Sequence, residues 1–134
     1  MGDTWAVEFY LHHNRSAPAE KFLDECPANE RLLAIVEAVR GYPPPNFPPS
    51  QMWWVMSGRM SGIYEARVRS RKTLFRLFCL LDRKAESFGL GAPTLAVLSG
   101  GTKPVGTAMD DDVYDEAISY RDRYLRTKPR PIKR

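Results

Sequence analysis

Apolar Trp5, Val7, Phe9 and Leu11 alternate with Ala6, Glu8, Tyr10 and His12. A period of two puts one set of side chains on a buried face and predicts a first strand. Asn14-Arg15-Ser16 reads as a turn, and Pro18 suits the first turn of a helix that carries Phe22 and Leu23. Beyond Pro27 the period changes: Leu32, Ile35, Val36 and Val39 fall at i, i+3, i+4 and i+7, a second helix ended by Gly41. Residues 42–51 hold five prolines and are expected to run extended, as a stiff connector that Trp53 and Trp54 anchor to the core.

Alternation returns from Ile63 to Arg69, with Tyr64, Ala66 and Val68 on one face and Glu65, Arg67 and Arg69 on the other. Arg71-Lys72-Thr73 makes a tight turn into Leu74–Asp82, an apolar run suited to a central strand and broken by Arg76. Residues 83–93 read as a loop, Thr94–Ser99 as another strand, and 110–125 as a last helix with Val113, Ala117, Tyr120 and Tyr124 as its apolar stripe. Asp110 to Asp112 at its start and Arg121, Arg123 and Arg126 at its end suit the helix dipole. The order predicts an α+β domain: a small, mostly antiparallel sheet with two N-terminal helices and a C-terminal helix packed on it. Residues 1–126 form this one domain, and 127–134 are expected to be a basic, disordered tail.

A chain of 134 residues is long enough to bury a core without staples. No apolar run approaches a membrane span, and the first residues lack the pattern of a signal peptide, so a cytoplasmic protein without a membrane partner is expected. Cys26 and Cys79 read as buried thiols, and two Cys with two His give a zinc site almost no ligands. Charge adds more. The net value is +4, yet residues 59–84 carry +6 and residues 121–134 another +6, leaving −8 for the rest. Cations concentrated in two segments suit a surface that faces phosphates.

Arg76 is costly in an apolar strand unless it is paired or faces a solvated cleft. Two arrangements satisfy it. Either Arg76 pairs with Glu65 across the hairpin as a structural salt bridge, or Arg67, Arg76 and a third cation form a bowl that Lys103 completes. Such a bowl suits RNA cleavage by the 2′-hydroxyl, where the protein holds the backbone in line and stabilises the phosphorane. Glu65 is then the nearest candidate for proton transfer. His12 and His13 are expected to be exposed residues at a strand end, and Gly100-Gly101-Thr102-Lys103 lacks the spacing of a phosphate-binding loop.

Trp5-Ala-Val-Glu-Phe-Tyr, Ile63-Tyr-Glu-Ala-Arg67 followed by Leu74-Phe-Arg76-Leu-Phe, Leu95 to Lys103 and the last helix together resemble the phage-derived, HigB-like branch of the RelE/ParE toxin superfamily. The resemblance runs from about residue 5 to 125 and implies a bacterial or phage toxin, an mRNA interferase that cleaves translated mRNA on the ribosome without a cofactor. It also implies a helix-turn-helix antitoxin as partner. Carried over residue by residue, it makes Glu65, Arg67, Arg76 and Lys103 the catalytic group. Arg59, Arg69, Arg71, Lys72, Arg123 and Arg126 are the further cations expected along the RNA. The chain departs from the pattern where Pro104 replaces a second lysine and where Ser99-Gly100-Gly101 replaces His, Gly and Phe. These departures keep two other readings open, a non-catalytic RNA or ribosome binder and a gyrase-directed toxin on the same fold.

Overall fold

The computed structural model describes residues 5–43 and 52–134. Most of the proline-rich connector expected over 42–51 therefore lies outside the described residues. Strand β1 (Ala6–Phe9) leads into helices α1 (Pro18–Asp24) and α2 (Asn29–Gly41). Strands β2 (Trp53–Val55), β3 (Ile63–Ser70), β4 (Thr73–Asp82) and β5 (Thr94–Pro104) follow, and helix α3 (Asp111–Arg126) comes after the last of them. The sheet order is β1-β5-β4-β3-β2. Only β1 and β5 are parallel; the other three pairs are antiparallel. The α+β class read from the periodicities is the class observed.

Alternation along each strand builds two apolar layers. Ala66, Leu77 and Val97 face α1 and α2, with Leu32, Val36 and Val39 opposite them. Ile63, Phe78 and Leu98 face α3, where Ala117 and Tyr124 complete the second layer. Both faces are covered by helices, as an apolar central strand requires. Opposite Phe78 and Cys79 the register of β5 slips by one residue, so that Phe78 pairs with Ser99 and Cys79 with Val97. Past this bulge, Gly100 and Gly101 are squeezed between the two layers. A Cβ at Gly100 would sit 2.3 Å from the Phe22 ring of α1, and one at Gly101 would sit 2.6 Å from Val113 of α3. Missing side chains let both helices approach the same strand.

Two expectations are corrected. Trp53 and Trp54 are not merely an anchor for the connector: with Val55 they form the edge strand β2, paired with Ala66, Glu65 and Tyr64. The segment 127–134 is not a disordered tail. Ile132 forms a bridge with Tyr10, Leu11 N–H donates to the Pro131 carbonyl (3.0 Å), and Lys133 N–H donates to Phe9 (2.8 Å). Arg130 is buried against Asp82 and fixes the segment from within. Its Nε donates to Asp82 Oδ2 at 2.9 Å, the Tyr124 hydroxyl donates to the same oxygen at 2.8 Å, and the guanidinium lies over the Phe88 ring at 3.7 Å. A tail rich in Pro and basic residues hides this pairing, because its partner is 48 residues away in sequence.

Candidate nucleic-acid interface

On the α3 side of the sheet, strand register arranges side chains in rows. The first row across β2, β3, β4 and β5 is Trp54, Glu65, Phe78 and Ser99. The next is Arg67, Arg76 and Gly101, and the third is Arg69, Leu74 and Lys103. Helix α3 starts over Gly101, where Val113 packs, and runs away from the arginines. The sheet face that holds Arg67 and Arg76 therefore opens at the helix N-terminus.

Arg76 forms the cross-hairpin salt bridge with Glu65, and Arg67 shares the same carboxylate. Glu65 is 1% exposed, and its Oε1 accepts hydrogen bonds from Arg67 Nε and from Arg76 Nη1. Arg76 is 13% exposed and Arg67 31%. Two like charges directly opposite on neighbouring strands repel, and the carboxylate between them offsets that repulsion. Buried and bonded through Oε1 to both guanidinium groups, Glu65 orients them. Arg76 Nε is buried without a hydrogen-bond partner among the described residues, and so is the Ser99 hydroxyl on the adjoining row. Buried donors left unfilled inside a sheet are costly and therefore uncommon.

Two residues missed in the sequence adjoin the arginines. Trp54 is 45% exposed, and the Arg67 guanidinium stands 5.7 Å from the centre of its ring. Tyr114, on the first turn of α3, packs edge-on against Phe78 at 5.9 Å. Burial raises the pKa of its hydroxyl; the negative charge of Glu65 raises it further, against the pull of Arg76 and Arg67. The phenol is thus a protonated donor beside the cluster. Tyr114 lies one residue outside the stripe defined by Val113, Ala117 and Tyr124, so periodicity alone does not select it.

The remaining expected cations divide. Arg69 is exposed on the third row, while Arg71 and Lys72 form the exposed β3–β4 turn, with Arg71 at φ 58°. Lys103 shares that row, but its ammonium donates to the Thr107 carbonyl at 2.7 Å. Arg59 is paired with Asp115 and Asp111, so its charge is matched by carboxylates. Arg123 and Arg126 lie at the other end of α3, about 13 and about 18 Å along the helix from Tyr114. His12 is half-buried, not exposed: its Nδ1 is 2.7 Å from the Tyr10 hydroxyl and its ring is 5.0 Å from that of Tyr120. Burial, and then the neighbouring His13, lower its pKa. Cys26 and Cys79 are free and buried, and burial pushes the Cys79 thiol up.

Among the described residues, no group of three or more His, Cys, Asp or Glu side chains is placed to hold a metal ion, and no helix is long and apolar enough to cross a membrane. Compared with family models, curated proteins and solved structures, the chain matches none.

Proposed function

We propose that this chain is an RNA-cleaving toxin of the RelE/HigB kind, acting on translated mRNA at the ribosome and held in check by a helix-turn-helix antitoxin. The observation that carries the reading is the pair Arg67 and Arg76, fixed side by side on an open sheet face by one buried carboxylate. Two preoriented guanidinium groups match the non-bridging oxygens of a phosphate and stabilise the extra charge of a phosphorane. In the reaction the 2′-oxygen forms a bond to the adjacent phosphorus and the P–O5′ bond breaks. The 2′ proton leaves to solvent, and the 5′-oxygen takes a proton from water or from the Tyr114 hydroxyl. The products are a 2′,3′-cyclic phosphate and a 5′-hydroxyl end. Arg67 and Arg76 hold charge, Glu65 positions them, and Arg69 with the turn residues Arg71 and Lys72 extends the cationic track. Lys103 closes one side of that track through its row position beside Leu74.

A second reading, an RNA or ribosome binder without cleavage, is favoured by two observations: Glu65 is buried against the arginines, and no histidine stands on their rows among the described residues. Cleavage assays on translating ribosomes separate the two. The endonuclease reading expects Arg76→Ala to lower the cleavage rate about 10²- to 10³-fold, the usual cost of removing one charge-stabilising donor. Binding without any product, with a log–log salt slope of about −0.7 per phosphate, would leave only the second reading.

A further inference from the structure

The two edges of the sheet are finished differently. At the end of β1, residues 131–133 bridge Phe9 to Leu11 and cover that end of the edge. Along β2, the other edge, Trp54 and Val55 are exposed beside exposed Met52. An exposed apolar edge normally invites pairing, and proteins blunt it unless it has a use. What distinguishes this edge is the charge beside it. Trp54 heads the row that contains Glu65, and the guanidinium near its ring belongs to Arg67, the same group that Glu65 orients.

We propose that Trp54 is a base-stacking platform, so that the site takes unpaired RNA, with one base on the indole and the adjoining phosphate on Arg67 and Arg76. This rests on the reading of the arginine pair as a phosphate site. Trp54 stands on β2 and Arg76 on β4, two strand spacings across and one row along, about 12 Å apart, with Arg67 between them. A base and its neighbouring phosphate span a distance of that order. An indole face accepts any base, while the cation beside it adds attraction to the ring and to the backbone. Bases inside a duplex have both faces occupied by stacking, so the platform selects single strands. A protein edge pairing with β2 would use the backbone and the Val55 side as well, and would gain nothing from Arg67 and Arg76.

The test uses the tryptophans already present. The chain has three, and Trp5 and Trp53 are buried, so Trp54 is the exposed reporter. Fluorescence of the full chain is titrated with a nine-nucleotide single-stranded RNA whose 2′-oxygens are methylated to block cleavage. Affinity is measured separately by anisotropy of the labelled strand. Quenching is expected in the wild type and not in Trp54→Phe. Trp54→Ala is expected to weaken binding about 5- to 150-fold, with Trp54→Phe recovering much of the loss and the urea midpoint unchanged in both. The corresponding duplex RNA should not quench. Equal affinity of wild type and Trp54→Ala, absence of quenching, or quenching that follows protein concentration without RNA would each overturn the platform. Failure of the two readings is distinguishable. Cleavage on ribosomes that depends on Arg76 but not on Trp54 removes the platform alone; stacking without any cleavage removes the endonuclease alone.

Discussion

Replacing Glu65 by Gln probes the device that holds the site together. The substitution keeps the shape of the side chain and one acceptor oxygen, but it removes the only negative charge among the described residues that touches both Arg67 and Arg76. These arginines face each other in register on β3 and β4. Two unit charges about 6 Å apart at an effective dielectric of about 20 repel by about 3 kcal/mol. Removing one partner of a buried pair costs about 3–5 kcal/mol when the survivor stays buried. Arg67, 31% exposed, can swing into water and relieve part of this. The expected loss is therefore about 2–3 kcal/mol, or a fall of about 1–2 M in the urea midpoint at an ordinary m-value. Arg76→Gln in the Glu65→Gln background should cost at least about 1 kcal/mol less than in the wild type, because the attraction to the carboxylate is already gone and the change relieves the uncompensated repulsion from Arg67. Urea denaturation of the four proteins closes the cycle. A Glu65→Gln midpoint indistinguishable from wild type, or strictly additive effects, would refute the idea that the carboxylate holds two opposed cations.

Other outcomes follow from the same structure. Arg130→Met leaves Asp82 buried without its cation and frees residues 127–134, so thermal unfolding should show a loss of about 3–5 kcal/mol; a loss under about 1 kcal/mol would mean the segment is not held by this pair. Gly100→Ala drives a methyl group into the Phe22 ring and should cost about 1–3 kcal/mol by urea denaturation, with Phe22→Ala lessening the penalty in the double variant. Burial lowers the His12 pKa below its unfolded value, so the folded state disfavours the charged ring. That contribution is complete above about pH 6.5 and is lost as pH falls through the folded pKa. Wild type should accordingly lose more stability than His12→Gln between pH 7.5 and pH 5 by urea midpoint.

How far the sequence reveals this depends on the range over which each signal acts. Strands β1 and β3 and helices α2 and α3 announce themselves through local periodicity, β4 through its apolar run and α1 through Pro18, and the opposite faces of Tyr64 and Glu65 follow directly from the alternation. Strand β2 has three residues, two of them tryptophan, after a run of prolines, which is too short for a period to register. The packed segment 127–134 depends on Asp82 and Tyr124, whose approach is decided by the sheet and by α3 and not by neighbouring residues. At the site, Arg67, Arg76 and Glu65 are legible because a hairpin fixes their register, and the salt bridge expected between Arg76 and Glu65 is present with Arg67 joined to it. Trp54 and Tyr114 were hidden because they reach the arginines from other elements. Arg59 illustrates the converse: its charge is visible in the sequence, but its partners Asp111 and Asp115 are more than fifty positions on.

The central claim is that the Arg67–Arg76 pair cleaves translated RNA, and mapping mRNA 5′ ends in cells tests it most directly. After a short pulse of expression, wild type should produce discrete new 5′-hydroxyl ends inside translated frames. The same pulse of folded Arg76→Ala should give none. Growth arrest with intact mRNA, or new ends undiminished in Arg76→Ala, would contradict the account.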